Sequence, residues 1–322
     1  MLISIIIPVY NEQDNLRPLF SALRESFAGK PEYRYEVVFV DDFSTDNSFD
    51  ILSEFATSPD YDVRVIRLAR NSGSHVALSA GLQHCSGDVA VYIAADLQCS
   101  PEAIFKLIEK HMQGYPIVWG VRDSREDKWI IRLFSSIYYR VLEALVKQVI
   151  HFSDIETFLI HRKVIDQFQD VREKNTNILL LIACLGFKQD AVVVEHCPRR
   201  SGKSGWTISR KIKLLIDSLV SFSYMPIRAI SLFGIFFSLC GFAWAVLEII
   251  LYLQDNSRPL GYTSIFVLIL LVSGLQLLML GVVGEYLWRA FDQISSKPMI
   301  VIDEMLGFKT KHTDIEQVEE NQ

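Results

Sequence analysis

The sequence predicts an α/β protein in which a doubly wound sheet is followed by a pair of membrane-spanning helices. Three observations predict this arrangement. Short apolar runs rich in β-branched residues alternate with helical patterns early in the chain, as in βαβ units. Two long uncharged stretches lie near the C-terminus. A basic amphipathic segment precedes these two stretches.

The strands are predicted from apolar runs that are too short and too β-branched to form helices. Such runs lie at residues 2–9, 35–40 and 89–93, and each is typical of a buried parallel strand. The helical patterns between them span residues 15–27, 48–56 and 75–84. Because ligands of doubly wound sheets bind at the carboxyl ends of the strands, we expect the functional site there.

Polar residues follow each of these strands at the predicted ligand edge. They are Tyr10, Asn11 and Glu12, then Asp41 and Asp42, then Asp96 and Gln98. Asp41 and Asp42 repel each other unless a ribose hydroxyl, a base edge or a cation uses them, which favours a ligand-binding role. Asp46 or Asn47 has the alternative role of capping the helix predicted from residue 48.

The composition excludes several classes of function. The 322 residues are 50% hydrophobic, yet they include 32 Lys and Arg and 38 Asp and Glu, which excludes both a disordered chain and a wholly membrane-embedded one. The net charge of -6 gives no attraction to nucleic acid. No dinucleotide-binding glycine motif and no P-loop occur. Five cysteines without a C-x-x-C pair predict neither a zinc site nor a disulfide framework, and they fit a reducing compartment.

The two uncharged stretches are long enough to cross a membrane. Residues 229–247 and 259–284 contain 19 and 26 consecutive uncharged residues, against the roughly 20 that a spanning helix needs. We therefore expect membrane spans at residues 229–253 and 262–287, joined by a short connector rich in turn formers. A buried core hairpin of a soluble protein is the alternative.

Basic residues predict that both ends of this hairpin face the cytoplasm, where Lys and Arg are retained. Seven Lys and Arg of residues 199–228 precede the first span, two follow the second span, and only Arg258 lies between the spans. The large N-terminal portion is expected to be cytoplasmic as well, since no signal peptide precedes it. Residues 288–322 form a cytoplasmic C-terminal segment, whose charged end is expected to be a mobile tail.

Residues 201–228 are predicted to form a juxtamembrane amphipathic helix. Apolar residues recur there at spacings of four, three, four and three, and basic residues occupy the other side. The apolar positions are Ile208, Ile212, Leu215, Leu219 and Phe222, and the basic ones are Arg210, Lys211 and Lys213. We interpret this helix as lying on the anionic cytoplasmic leaflet. Packing against the soluble domain is the alternative.

Seven segments carry a resemblance to a known family. The first four are Ile-Ile-Ile-Pro-Val-Tyr-Asn-Glu (5–12), Val-Asp-Asp-Phe-Ser-Thr-Asp-Asn-Ser (40–48), Arg-Asn-Ser-Gly-Ser-His-Val-Ala (70–77) and Ala-Asp-Leu-Gln-Cys-Ser-Pro-Glu (95–102). In order and spacing they resemble the successive motifs of family 2 inverting glycosyltransferases. The last three are residues 199–206, 221–228 and 281–289, and they resemble the polyprenyl-phosphate branch of that family. This branch includes dolichol-phosphate mannose synthases and bacterial undecaprenyl-phosphate glycosyltransferases.

The resemblance implies a GT-A domain, a Rossmann-like nucleotide-diphospho-sugar transferase fold, over residues 1–200. It implies transfer of a sugar from a nucleotide sugar to the phosphate of a polyprenyl phosphate such as undecaprenyl phosphate. This reaction would take place at the cytoplasmic face of the inner (plasma) membrane and would modify lipopolysaccharide, O-antigen or another cell-envelope glycan. It also implies a homotetramer.

Individual site residues are carried over by the same resemblance. The residues expected to bind the nucleotide sugar are Pro8, Tyr10, Glu12, Asp41, Asp42 and Asn71. Asp96 matches the acid that binds Mg²⁺ or Mn²⁺, which would clamp the diphosphate of the donor. A metal held by one carboxylate together with substrate phosphates agrees with the coordination that Mg²⁺ prefers.

Three positions depart from the family pattern. The usual Asp-x-Asp motif reads Ala94-Ala95-Asp96, so its first acid is missing. Cys99 stands after Gln98, where the family often has an acid. Thr157 stands where the family has the acid expected as catalytic base. Asp154 or Glu156 could supply a nearby carboxylate instead. A phosphate acceptor with a second pKa of about 6 is mostly dianionic at neutral pH, so it needs positioning more than deprotonation.

Two groups of basic residues are candidates for positioning the acceptor phosphate, because arginine binds phosphate through two hydrogen bonds. Arg122 and Arg125 form the first group, and Arg199, Arg200 and Lys203 form the second. Simple attraction to anionic lipid is the alternative for the second group. The departures at Ala94, Cys99 and Thr157 favour an alternative function, a catalytically inactive membrane protein that binds a nucleotide sugar or a lipid phosphate.

Overall fold

The computed structural model describes residues 1–59, 61–122, 155–168, 178–195, 197, 262–294 and 298–308, together with parts of 232–250. The chain divides into two compact units. The first comprises Met1–Glu173, Asn177–Gly205 and Pro298–Gln322, and the second comprises Lys174–Thr176 and Trp206–Lys297. The chain thus leaves the first unit and returns to it near the C-terminus. The amphipathic helix predicted at 201–228 lies outside the described residues.

The first unit is built around an eight-stranded sheet. Its strands are β1 (Leu2–Val9), β2 (Arg34–Asp41), β3 (Val63–Leu68), β4 (Val89–Tyr92), β5 (Ile117–Arg122), β6 (Ile155–His161), β7 (Gln189–Val194) and β8 (Ile302–Leu306). Their order across the sheet is β7-β5-β6-β4-β1-β2-β3-β8. The first strand of the sequence therefore lies near the centre of the sheet, between β4 and β2.

The strands predicted at residues 2–9, 35–40 and 89–93 are confirmed as β1, β2 and β4, and β1 pairs in parallel with both of the others. Parallel pairing also joins β2 to β3 and β5 to β7. Two strands run in the opposite direction, since β6 is antiparallel to β4 and β5, and β8 is antiparallel to β3. The α/β prediction is confirmed, with a mixed sheet rather than a wholly parallel one.

The direction of β6 decides which residues meet at the functional edge of the sheet. Because β6 is antiparallel to its neighbours, its first residues lie where β4 and β5 end. One edge of the sheet therefore collects the residues that follow β1 to β5 and the residues that begin β6. We call it the carboxyl edge.

Within the described residues of the first unit, four helices of ten residues or more pack on this sheet. They are α1 (Gln13–Ala28), α2 (Ser48–Thr57), α3 (Ser74–His84) and α4 (Ala103–Met112). The first three confirm the helices predicted at 15–27, 48–56 and 75–84. Shorter helical segments span Arg162–Ile165, Asp166–Phe168 and Ile178–Cys184.

The spacing of apolar residues explains how α1 packs. Leu16, Leu19, Leu23 and Phe27 recur every three or four positions, and all four side chains are buried. Helix α3 approaches β1 more closely, through Gly81. A Cβ atom added at Gly81 would clash with Cγ2 of Ile6, so only glycine fits this contact without a shift.

The second unit contains the helix Tyr262–Ile294, and helical residues also occur between 232 and 250. Many of its described side chains are large, apolar and exposed, among them Phe236, Phe242 and Trp288. The side chains of Tyr262–Ile294 are described only in part, and no stretch of described residues qualifies as a membrane span by length and hydropathy. The predicted membrane hairpin therefore stays a prediction.

Candidate active site

The loops that follow three adjacent strands of the sheet each contain a residue with the same unusual backbone conformation. Asn11 follows β1 with φ 55°, Phe43 follows β2 with φ 61°, and Leu97 follows β4 with φ 60°. They are the non-glycine residues with positive φ in the described part of the chain. Because L-residues other than glycine rarely adopt this conformation, such residues concentrate at ligand sites. The carboxyl edge therefore carries the backbone signature of a functional site.

The loops after β1 and β2 are held together by side-chain hydrogen bonds to the backbone. The N–H of Asn11 donates to Ser44 Oγ at 3.0 Å, and the N–H of Thr45 donates to Asn11 Oδ1 at 2.8 Å. Asp46 Oδ1 accepts from the N–H of Ser48 at 3.0 Å, whereas Asn47 makes no side-chain bond of this kind. Of the two residues predicted to cap α2, Asp46 thus has that role.

Asp41 is fully buried beneath the carboxyl edge. Its carboxylate accepts hydrogen bonds from the N–H of Ser44 at 3.2 and 3.3 Å and lies 3.6 Å from Nε of Arg67. Burial raises the pKa of Asp41, while the bonds to Ser44 and the charge of Arg67 oppose that rise. Asp41 therefore has protein partners for its charge, so its repulsion with Asp42 does not by itself require a ligand.

Asp42 holds the loop that follows β3. Its two oxygens accept from the N–H of Ser72 at 2.6 Å and from the N–H of Gly73 at 2.8 Å. Gly73 has a φ of 92°, which permits this approach, and it directly precedes α3. The exposed Asn71 lies in the same loop. The structure thus brings Asn71 and Asp42, two of the predicted nucleotide-binding residues, to one side of the carboxyl edge.

The predicted residues at the end of β1 lie next to this group. Tyr10 is 44% exposed, and Pro8 is half-buried within the strand. Glu12 Oε2 accepts from Asn15 Nδ2 at 2.6 Å at the start of α1. Val9 is paired with Asp41 in the sheet, so Tyr10 and Asp42 occupy equivalent positions at the ends of neighbouring strands.

Asp96, the predicted metal ligand, lies in the loop that follows β4. Its Oδ1 accepts from the N–H of Gln98 at 3.2 Å, and the residue is half-buried. Among the described residues, no group of three or more His, Cys, Asp or Glu has the arrangement of a metal site. A single half-buried carboxylate at a ligand edge still fits Mg²⁺ or Mn²⁺, which take few protein ligands when substrate phosphates supply the rest.

Asp96 and Glu156 both affect the pKa of Tyr92 and of Cys99. Burial raises the pKa of Tyr92, and Asp96, Cys99 and Glu156 add to the increase. Burial also raises the pKa of Cys99 to about 12, with further contributions from Glu156, Cys197 and Asp96. The two carboxylates predicted to be catalytic thus act on the same pair of side chains.

Glu156 is paired with Arg122 across two neighbouring strands. Arg122 ends β5 and Glu156 lies near the start of β6, with 3.8 Å between Nη1 of Arg122 and Oε1 of Glu156. Thr157, which replaces the expected catalytic base, is buried, and its hydroxyl donates to the carbonyl of Tyr92. Thr157 is therefore bound into the sheet, whereas Glu156 and Arg122 are both placed at the carboxyl edge.

Five predicted site residues lie outside the described residues. They are Asp154, Arg125, Arg199, Arg200 and Lys203. Their roles stay predictions.

The sequence reasoning did not single out Phe43 or Arg67, although both belong to the carboxyl edge. Phe43 is 41% exposed, and the guanidinium carbon of Arg67 lies 5.7 Å from the centre of its ring. One signal was available in the sequence. A bulky aromatic residue stands inside the polar segment Asp-Asp-Phe-Ser-Thr, where a turn is expected.

Comparison with known proteins supports the reading of these motifs. Residues 4–169 match the sequence family described as "Glycosyl transferase family 2". A protein of Bacillus subtilis strain 168, the uncharacterized glycosyltransferase YkcC, is 34% identical over 309 residues, which cover 96% of this chain and 95% of that protein. The undecaprenyl-phosphate 4-deoxy-4-formamido-L-arabinose transferase of Edwardsiella ictaluri is 33% identical over 312 residues, covering 94% of each chain.

Solved structures resemble this chain more distantly. The mannosyltransferase PcManGT of Pyrobaculum calidifontis, in complex with GDP-Man and Mn²⁺, aligns with a TM-score of 0.44 and 18% identity. The alignment covers 89% of this chain and 87% of that one. A likeness at this level has no bearing on the substrates or the metal of this chain.

Proposed function

Because the chain belongs to the family 2 glycosyltransferases, we propose that it transfers a sugar from a nucleotide diphosphate sugar to the phosphate of a polyprenyl phosphate such as undecaprenyl phosphate. The chain is a glycosyltransferase, with a GT-A-like mixed α/β sheet. The proposal depends on one observation above all. The carboxyl edge carries Tyr10 and Asp42, which we propose to bind the nucleotide, and Asp96, Arg122 and Glu156, which we propose to form the reaction side.

The acceptor is proposed from the relatives. Three relatives that are 30–33% identical over 94–95% of this chain are named undecaprenyl-phosphate 4-deoxy-4-formamido-L-arabinose transferase. Their similarity extends beyond the family 2 match at residues 4–169 into the C-terminal part of this chain. The acceptor of this chain is therefore proposed to be a lipid phosphate of the same class.

The proposed reaction is a direct displacement. A phosphate oxygen of the lipid attacks the anomeric carbon, a new carbon–oxygen bond forms, and the bond from that carbon to the nucleoside diphosphate breaks. The diphosphate leaves with the electron pair, and the sugar configuration inverts. Because the acceptor phosphate is already an anion, the chain needs to position it rather than deprotonate it, which agrees with the absence of an acid at Thr157.

Side chains of the reaction side have distinct proposed roles. Asp96 would hold Mg²⁺ or Mn²⁺, and this ion would offset the charge that develops on the departing diphosphate. Arg122 would face the phosphates with a fixed positive charge, held in place by Glu156 at 3.8 Å. Glu156 is thus a positioning residue, through which the orientation of Arg122 is set.

We place the reaction at the cytoplasmic face of the plasma membrane. The uncharged stretches at 229–247 and 259–284 and the basic residues that flank them support this location. The exposed apolar side chains of the second unit, such as Phe242 and Trp288, also support it, because such side chains are stable in contact with lipid. A polyprenyl chain remains in the bilayer, so an enzyme that acts on its phosphate has to work at the membrane surface. The homotetramer implied by the resemblance stays a prediction.

A second candidate function is a protein that binds the nucleotide sugar without turning it over. One observation favours this function. Position 157, where the family pattern has an acid, is occupied by Thr157, and the hydroxyl of Thr157 donates to the carbonyl of Tyr92. The two functions differ in a measurable way, because only the enzyme converts its donor.

Transfer of radiolabelled sugar to undecaprenyl phosphate, assayed with several nucleotide sugars in the presence of Mn²⁺ or Mg²⁺, tests the proposal. We expect transfer with one donor. We also expect Asp96→Asn to lower kcat on the order of 100-fold, because the metal ligand is lost. Asp62→Asn is the matched control, since Asp62 is exposed and precedes β3 at the opposite edge of the sheet. Nucleotide binding without transfer from any donor would favour the second function.

A further inference from the structure

The ring of Phe43 is exposed although its neighbours in the chain are not. Phe43 is 41% exposed, whereas Asp42 and Ser44 on either side of it are 3% and 6% exposed. Both neighbours use their side chains inside the protein, Asp42 on the loop after β3 and Ser44 on the N–H of Asn11. The ring therefore projects from a fixed part of the carboxyl edge and does not belong to the apolar core.

The backbone at Phe43 is also unfavourable for a bulky residue. Its φ of 61° is in the left-handed region, where glycine is stable and an aromatic L-residue is an outlier. Glycine adopts this φ without strain, and at 41% exposure much of the Phe43 ring lies outside the protein. The fold thus maintains a partly exposed aromatic ring on a backbone conformation that favours glycine.

Arg67 restrains the ring. Its guanidinium carbon lies 5.7 Å from the ring centre of Phe43 and 4.2 Å from that of Phe49. Nε of Arg67 is 3.6 Å from the buried carboxylate of Asp41. An arginine held by a buried acid and a second aromatic ring gives Phe43 a fixed cationic neighbour. The ring is thus positioned by the protein and is not simply a mobile surface side chain.

Tyr10 provides a second exposed aromatic ring at the same edge. It is 44% exposed and follows β1, the parallel partner of β2. Large exposed aromatic rings at the ends of two paired strands are typical of sites that bind planar ligands, because each ring offers an apolar face.

The geometry points to Phe43 as a stacking platform for the nucleobase of the donor, an inference that rests on the proposed function. Stacking on a phenyl ring requires only the flat face of a base, so Phe43 contributes affinity for nucleoside diphosphates of any base. The choice among bases then belongs to hydrogen-bonding groups at this edge. Phe43 is thus a binding residue of the donor site that has no part in the chemical step.

Substitution of Phe43 by glycine separates this role from a structural one. In the purified full-length chain, Phe43→Gly relieves the strained backbone, so the thermal midpoint should be unchanged or higher than that of the wild type. The same change removes the ring, so the Kd for a nucleoside diphosphate should rise about tenfold or more. Phe43→Trp, which keeps an aromatic face, should retain the wild-type Kd within about threefold.

Isothermal titration with UDP, GDP and ADP, each in the presence of MnCl₂, measures these changes. Met112→Ala is the control, because Met112 is an exposed apolar residue at the end of α4, outside the carboxyl edge, and its loss should leave Kd unchanged. Equal Kd values for the wild type and Phe43→Gly would overturn the inference and leave the proposed function standing. A lower thermal midpoint for Phe43→Gly with unchanged Kd would show a structural role and also overturn it. Failure of the wild type to bind any of the three diphosphates would overturn the proposed function and the inference together.

Discussion

Asp42 shows how one side chain supports the site through the backbone. The sequence predicted that Asp41 and Asp42 bind a ligand, because adjacent acids repel each other, yet in the structure both have protein partners. Arg67 lies 26 positions after Asp41, and Gly73 lies 31 positions after Asp42. No local pattern in the sequence reveals either contact. The prediction from adjacent acids located both residues at the carboxyl edge, but it could not reveal the distant residues that bind their carboxylates.

We expect Asp42→Asn to weaken both the fold and donor binding. Asparagine keeps one acceptor oxygen in place of two and has no charge, so one of the bonds to Ser72 and Gly73 is lost, at about 1.5–3 kcal/mol. The loop that carries Asn71 should loosen, and the Kd for the nucleoside diphosphate should rise. Thermal denaturation and titration calorimetry measure the two effects, with Asp62→Asn as the control. Unchanged values for both would contradict the role given to Asp42.

His75, in the first turn of α3, should give stability a dependence on pH. Burial lowers the pKa of His75 to about 4 from its usual 6.5. Between these two values the unfolded chain binds a proton that the folded chain does not, so the free energy of unfolding falls as the pH decreases from about 6.5 to 4. His75→Gln should flatten the plot of thermal midpoint against pH across this window. Parallel plots for the wild type and the variant would argue against the burial of a neutral imidazole.

At the scale of elements, the contact between α3 and β1 fixes the position of the loop that Asp42 holds. Gly81→Ala places a methyl group against Ile6, so we expect a loss of about 1–3 kcal/mol, even though alanine favours helix. Gly29→Ala is the control, because a Cβ atom there meets nothing within 4 Å. Thermal midpoints of the two variants in the full-length chain measure the difference. A Gly81→Ala chain as stable as Gly29→Ala would show that α3 shifts away from the sheet at little cost.

The elements that the sequence revealed are those with a simple pattern. β1, β2 and β4 are short apolar runs between helical patterns, and their positions follow from that alternation. β8 has the sequence Ile-Asp-Glu-Met-Leu, and its three central residues are exposed. Such a charged edge strand has no apolar run to mark it. β6 was not predicted either, and its direction would have stayed hidden, because the sequence of a buried strand is apolar in either orientation.

At the scale of the whole chain, the exposed cysteines Cys184 and Cys240 give a test of the membrane prediction. Cys240 lies within the span predicted at 229–253, and Cys184 lies in the first unit. In intact inside-out membrane vesicles, whose cytoplasmic face is open to the medium, a water-soluble maleimide should label Cys184 and spare Cys240, since the reagent and the thiolate both need water. Because burial raises the pKa of Cys184, its labelling at neutral pH is expected to be slow and is followed as a time course.

Variants that keep either Cys184 or Cys240 as the sole cysteine make this comparison direct. Denaturation in SDS should expose both thiols to the reagent and provides the reference for complete labelling. Similar labelling rates for the two variants in intact membranes would contradict the predicted span.

The position of β8 in the chain has a consequence for synthesis. β8 pairs with β3 but follows the entire second unit in the sequence, so the ribosome completes the apolar segments before the strand that finishes the sheet. Throughout that interval the nascent β3 has a neighbour on one side only, an arrangement that invites pairing with other chains. Rapid insertion of the emerging apolar segments into the predicted membrane environment would shorten the period during which β3 lacks its second neighbour.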